Sequence, residues 1–306
     1  TDGYQGTRPA TFLNSGDQGL YAGGSPSLSN MDSIKISSAG NATSFGDLSV
    51  GRRQFQSIGN EVNGVWSGGY GAPANRNIID YVFHRSLGNA ADFGDLTITR
   101  VAGAGASNST RGIFAGTESP GVGNSMEYIE IASRGNAADF GDLTENITNN
   151  TATASTTRFV RMGGKTPTEV NTMDFVTIAS TGNATDFGDL SNSTNNGAGN
   201  SDGHGGLDGS TITVNGNRGF FVSGTDGTAI QTVLMTSTGN ASDFADLPIN
   251  QQSNQNGGTS SSTRGLMSGG YNAPASINNI SYWTMASLGN AIDFGDLTQA
   301  RRRGTG

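Results

Sequence analysis

The side chains best suited to chemistry in this 306-residue sequence are carboxylates spaced three apart, such as Asp92 with Asp95 and Asp186 with Asp189. Two carboxylates so placed can share a cation or divide the work of acid and base. They recur, however, in five of the six copies of one motif, the first having Ser44 instead, and this repetition reads better as turn capping and as acceptors for neighbouring backbone N–H groups. The DFG triplet within that motif spells a kinase metal-binding segment. It too recurs, and no Gly-rich phosphate loop or catalytic His-Arg-Asp accompanies it, so it reads as structural. In the stretch NSDGHGGLDG that starts at Asn200, Asp202, His204 and Asp208 could gather round a cation, although a Gly-, Asn- and Ser-rich insertion reads first as a loop. His84 stands where five other copies of the repeat place Ile or Met. It reads first as a hydrogen-bonded core histidine and second as a group facing a channel. With no cysteine, the chain has no disulfides, thiolate metal sites or cysteine nucleophiles. These residues lead us to expect no catalytic site, no resident metal and no cofactor.

Binding is the alternative. The string GlyGlyTyr-x-AlaProAla occurs twice and places Tyr70 and Tyr271 on corresponding loops, with Trp66 and Asn75 nearby. Tyrosine is large, rigid and polar at one end, and it stacks on sugars and on protein partners. A repeated turn that simply needs Tyr for packing explains the string equally well.

These residues are all held by a repeat. GNATSFGDL begins at Gly40, GNAADFGDL at Gly88 and Gly135, GNATDFGDL at Gly182, GNASDFADL at Gly239 and GNAIDFGDL at Gly289. The motif asparagines Asn41, Asn89, Asn136, Asn183, Asn240 and Asn290 are 48, 47, 47, 57 and 50 residues apart. A period near 48 suits a propeller blade of four strands. Upstream of each motif lies a Gly-Gly or similar pair (Gly23-Gly24, Gly68-Gly69, Gly116-Thr117, Gly163-Gly164, Ser223-Gly224, Gly269-Gly270) that closes a short apolar run. Those runs, LeuTyrAla at 20 and ValTrpSer at 65 among them, read as inner strands. A third strand follows. Its positions Ile34, Val82, Ile129, Val176, Val233 and Trp283 share a face with Ile36, His84, Ile131, Ile178, Met235 and Met285, expected to pack on the next blade. The motif's Phe45, Phe93, Phe140, Phe187, Phe244 and Phe294, with Leu48, Leu96, Leu143, Leu190, Leu247 and Leu297, are expected to plug the inter-blade core.

We therefore expect one all-β domain over residues 1–306, a six-bladed β-propeller with blades near 8–48, 52–96, 100–143, 147–190, 194–247 and 251–297. The tail TQARRRGTG resembles the start GTRPATF, so the two termini are expected to lie side by side and seal the ring. From motif Leu to the next Gly-Gly position the chain runs 20 residues in blades 2 to 4, but 33 in blade 5 and 22 in blade 6, so blade 5 carries an insertion. The loops after the glycines also vary, and variation on a rigid scaffold is where recognition usually lives.

A formal charge of −8 argues against a nucleic-acid partner, and the only basic run, Arg301 to Arg303, is too short to change that. No stretch approaches the roughly 20 apolar residues of a membrane span, so no membrane insertion is expected. The sequence shows no basic-then-apolar leader and starts at Thr1 rather than Met, so the chain is expected to be processed or excised. Sequons such as Asn108-Ser109-Thr110 arise readily in an Asn- and Thr-rich chain.

An Arg past the motif (Arg53, Arg100, Arg301), an apolar strand ending in Gly-Gly, and a strand bearing Tyr81, Tyr128 or Tyr282 together resemble the kelch repeat in outline. Where kelch blades carry Trp, this chain has the Phe of DFGDL. The literal string GNATDFGDLT, with its TRG and GG elements, is more closely similar to repeat proteins of marine bacteriophages, cyanophages among them, along essentially the whole chain. That resemblance implies a virion component, a tail fibre or tail-associated protein displayed for host contact. Its partners would be other virion proteins and a host surface polysaccharide or protein. Two other readings stay open: an architectural decoration or assembly protein, and a polysaccharide depolymerase with carboxylates in the central channel.

Overall fold

The computed structural model describes residues 17–203, 217–222, 224, 227–251 and 258–306. Blade 1 contains β1 (Gln18–Ala22), β2 (Asn30–Lys35) and β3 (Thr43–Asp47). Blade 2 contains β4 (Gln56–Gly59), β5 (Asn63–Ser67), a small hairpin of β6 (Tyr70–Gly71) and β7 (Ala74–Asn75), then β8 (Ile78–Phe83) and β9 (Ala91–Asp95). Blade 3 contains β10 (Ala104–Ser107), β11 (Arg111–Thr117), β12 (Gly123–Glu130) and β13 (Ala138–Ile147). Blade 4 contains β14 (Thr151–Ala154), β15 (Arg158–Lys165), β16 (Glu169–Thr177) and β17 (Thr185–Asp189). Blade 5 contains β18 (Ala198–Ser201), β19 (Arg218–Val222), β20 (Ala229–Leu234) and β21 (Ser242–Asp246). Blade 6 contains β22 (Gly258–Ser260), β23 (Arg264–Ser268), the hairpin β24 (Tyr271–Asn272) and β25 (Ala275–Ser276), then β26 (Asn279–Thr284) and β27 (Ile292–Asp296).

Each blade is an antiparallel sheet in chain order, and the six stand as a β-propeller with the first strands of blades 2 to 6 around the axis and the C-terminal segment at Thr305 in that position for blade 1. The innermost strands are the small-residue segments, such as AlaGlyAlaSer in β10 and ThrAlaThrAla in β14. The apolar runs before Gly-Gly, expected to be inner, are second from the axis. The reason is taper. Radiating sheets converge at the axis, where a Cβ on Gly199 would stand 2.1 Å from the Ala152 carbonyl oxygen, so small residues predominate there, with Gln56 and Ile58 of β4 the exceptions. Farther out the blades separate, and Phe and Leu fill the widening gap.

That filling follows the expected positions. Every motif Phe and Leu is buried, and the buried apolar residues form six clusters, each shared by two adjacent blades. The third-strand face was expected to meet the next blade and instead packs on the preceding one. Val233 and Met235 of blade 5 join Phe187 and Leu190 of blade 4, and Ile34 and Ile36 of blade 1 join Phe294 and Leu297 of blade 6. The right-handed strand twist sets which neighbour a given face meets, and residue alternation alone does not report it.

The GNA and DFGDL segments stitch these junctions along the outer rim. The second Asp of each motif donates its backbone N–H to the next blade's motif Asn, Asp47 to Asn89 Oδ1 and Asp142 to Asn183 Oδ1 both at 3.0 Å. Its carbonyl accepts the following Ala amide, as Asp47 does from Ala90 at 2.8 Å. Blade 6 is joined to blade 1 in the same way, Asp296 donating to Asn41 and accepting from Ala42. At the inner edge, β1 receives Thr305, which exchanges two backbone hydrogen bonds with Ala22 at 2.8 and 3.2 Å. Ser57 then bonds Thr305 and Gly306. The C-terminal segment thus closes blade 1, while the N-terminal partner expected beside it lies outside the described residues.

Gly141 shows how little room the rim leaves. It holds φ +140°, and an added Cβ would meet the Gly182 carbonyl oxygen at 2.4 Å. Blade 5 has Ala245 at the corresponding place, and there the bond from the motif Gly amide to the preceding blade's Phe carbonyl, formed between Gly182 and Phe140 at 2.7 Å, is not made by Gly289. Gly141→Ala is expected to cost about 2 kcal/mol or more, measured as a lowered urea midpoint. Ala245→Gly should be close to neutral.

Candidate functional site on the loop face

The ring has two ends. At one, the turn from first to second strand is capped by a side-chain acceptor: Asn60, Asn108, Ser155, Asp202 or Ser261 accepts the amide of the residue that opens or precedes the second strand. Asp202, expected as a weak cation ligand, is one of this series. Its Oδ1 accepts the Arg218 amide at 2.9 Å, and burial pushes its carboxyl above the usual range. His204 and Asp208 lie outside the described residues. Among the described residues no group of three His, Asp or Glu side chains could hold a metal ion.

An axial cavity of about 200 Å³ is lined by the innermost strands and extends between blades 1 and 2 past Leu20, Trp66 and His84. His84 is half-buried rather than fully enclosed, and its ring takes the space a Cβ on Gly64 would need, 3.3 Å from it. Trp66 is only 2% exposed, so it serves the inter-blade core and cannot act as an open stacking surface. The motif carboxylates Asp92, Asp95, Asp186 and Asp189 are distributed around the outer rim and do not converge.

The other end, where the Gly-Gly loops lie, is built on arginine. Between the last strand of one blade and the first of the next, a linker residue tucks inward over the new blade's third strand. Arg52 pairs there with Asp80 at 3.1 Å, Arg100 with Glu127 at 2.9 Å, and Arg301 with Asp32, every one fully buried. In blade 4 the matching position is Ile147, at the end of β13, and Arg161 from β15 supplies the charge to Asp174. Burial pulls the pKa of Arg52 and Arg100 down, and the facing carboxylates push it back up. Arg100 also donates to the carbonyls of Gly116 and Ser125, and Arg301 to those of Gly23 and Asn30. Blade 6 repeats this geometry without charge: Gln251 reaches the carbonyls of Gly269 and Asn279, and the acid is replaced by Ser281.

Because Arg52 and Arg301 point inward, the residues after them stay at the surface. Arg53 stacks on the Tyr70 ring at 4.6 Å and exchanges two backbone hydrogen bonds with that tyrosine. Arg302 stacks on Tyr271 at 4.5 Å. Both tyrosines are half-buried and occupy the matching hairpins, as expected from the repeated string, but each has one face covered by an arginine. Asn75 is exposed on its hairpin and donates to Ser119 Oγ of blade 3 at 2.7 Å.

The two hairpins flank blade 1, whose own turn is short. Adjacent amides of that turn fix both arginine runs, Gly24 donating to the Arg52 carbonyl at 2.9 Å and Ser25 to the Arg302 carbonyl at 2.7 Å. Arg303 accepts the Gln54 amide and sits between them. Its guanidinium is held below the usual range by burial first, then by the charges of Arg302 and Arg53, with Glu118 opposing. The sequence reading singled out the tyrosines and missed Arg53, Arg76, Arg302 and Arg303. Their signal was present as consecutive arginines at one repeat offset, Arg52-Arg53 and Arg301-Arg302-Arg303, where other linkers have one Arg or none.

Asp80→Ala strands Arg52 in the interior and is expected to cost about 3–5 kcal/mol in urea unfolding. Arg52→Gln combined with Asp80→Ser, which copies blade 6, should cost clearly less than Asp80→Ala alone.

No protein-family model matches the chain, and no curated protein matches it.

Proposed function

We propose that this chain is a virion adhesion propeller that contacts a host surface glycan or protein through the Gly-Gly loop face. The observation that carries this reading is the pair of matching hairpins raised on either side of the short blade 1 turn, with arginines between them, on a ring whose inter-blade junctions are closed all the way round. Rigid placement of loops lowers the ordering cost of binding. The likeness of GNATDFGDLT to repeats of marine phage proteins supports the virion setting. Other virion proteins are proposed as partners at the outer rim, where Leu87 and Leu288 are 75% and 76% exposed. An architectural role is favoured by that same rim feature.

The test is binding of the labelled chain to intact marine cyanobacterial cells, with a parallel reducing-end assay on their extracted surface polysaccharide. Saturable binding without new reducing ends is expected, together with a loss of at least about tenfold for Tyr70→Ala with Tyr271→Ala at unchanged thermal stability. New reducing ends would replace this reading with that of a depolymerase, and absence of binding would leave the architectural role.

A further inference from the structure

Most arginines of this chain have a structural task. Arg52, Arg100, Arg161 and Arg301 neutralise buried carboxylates. Arg111, Arg158, Arg218 and Arg264 each cross to the next blade and donate to a backbone carbonyl, of Ile178, Met235, Met285 and Ile36 in turn. Arg134 stacks on Tyr81. Against this pattern, Arg53, Arg76, Arg302 and Arg303 collect around blade 1 at the loop face of a chain whose net charge is −8. Among the described residues Arg53, Arg76 and Arg302 form no ion pair. Among the described residues the only hydrogen bond from the Arg53 side chain is a long one, 3.4 Å to the Pro26 carbonyl, and the Arg302 side chain is held by stacking on Tyr271. Guanidinium groups brought together against their mutual repulsion, with donors of Arg53 and Arg302 still unused, are poised for an anion.

The surroundings specify the kind of anion. The hairpins that wall the turn present exposed Asn75 and Asn272, half-buried Tyr70 and Tyr271 and small Ala-Pro-Ala tips, and none of the large exposed apolar residues lies on them. A protein partner would normally need an apolar centre to its interface, whereas planar amides, aromatic edges and arginine forks suit a polar, hydroxyl-rich ligand. We infer that the blade 1 turn, with Arg53, Arg302 and Arg303 between the two hairpins, binds the acidic groups of a glycan, either carboxylate or sulfate. This rests on the glycan-binding form of the proposed function and narrows its substrate class.

The intact chain is titrated with polygalacturonate, dextran sulfate, neutral dextran and poly-L-glutamate, at low and at raised NaCl. Binding to at least one of the two acidic glycans, weakening with salt, is expected, and which of them binds identifies the acidic group. Arg53→Gln with Arg302→Gln should weaken it by about tenfold or more, while Arg85→Gln, at the opposite end of the ring, leaves it unchanged. If the double Gln variant is destabilised, Arg53→Lys with Arg302→Lys keeps the charge, removes the fork and should still lose affinity. Full affinity in either double variant would place the site elsewhere. Equal binding of neutral dextran overturns the acidic specificity and leaves a glycan-binding propeller. Equal binding of poly-L-glutamate overturns the glycan class, and binding to none of these polymers removes the inference and leaves the adhesion reading to the cell assay.

Discussion

Hydrogen bonds that cross from one blade to the next are the constraint on which this ring depends. A four-stranded sheet satisfies its own internal ladder wherever it stands, so the ladder does not specify a ring. The motif does, because the Asp amide and carbonyl at its end have partners only on the neighbouring blade, at its Asn and Ala. Repeating that demand six times leaves closure as the arrangement in which no copy lacks a partner. The apolar clusters obey the same rule, since each is assembled from two blades.

Charge is used sparingly, and its fully buried ion pairs follow the repeat. Four blades bury an arginine against a carboxylate, whereas blades 5 and 6 place Gln231 and Ser281 at the acidic position. A buried pair contributes little net stability over a neutral alternative, but it strongly disfavours loss of either member. The two linkers that begin with a buried Arg and continue with further Arg both border blade 1, and the ring's asymmetry is concentrated there.

Much of this was legible from residue spacing. The six copies of the motif, its buried Phe and Leu and the matching tyrosine hairpins all follow from the repeat. Strand order near the axis was not legible, because apolar runs normally signal burial while the innermost position of a tapered stack demands smallness instead. The neighbour met by Ile34 and Val82 was hidden for a related reason: alternation fixes that they share a face, and twist decides where the face points. Trp66 looked like a ligand platform from its type, yet its place on a second strand buries it. The arginine cluster is assembled from residues about 250 positions apart, Arg53 and Arg302, joined through two adjacent amides of a third segment. No local window of sequence contains that meeting.

The seam between blade 6 and blade 1 bears on how the ring would carry load. Thr305 is held to Ala22 by two backbone bonds, a grip that a pull on the tail would peel in sequence. The rim bonds from Asp296 to Asn41 and Ala42, the Arg301–Asp32 pair and the cluster of Phe294, Leu297, Ile34 and Ile36 lie across the same boundary and are not in line with that peel. A pull on the C-terminal end would therefore release Thr305 well before the ring opened, so the first part of the molecule to yield is the inner edge of blade 1 and the last is the closure between blades.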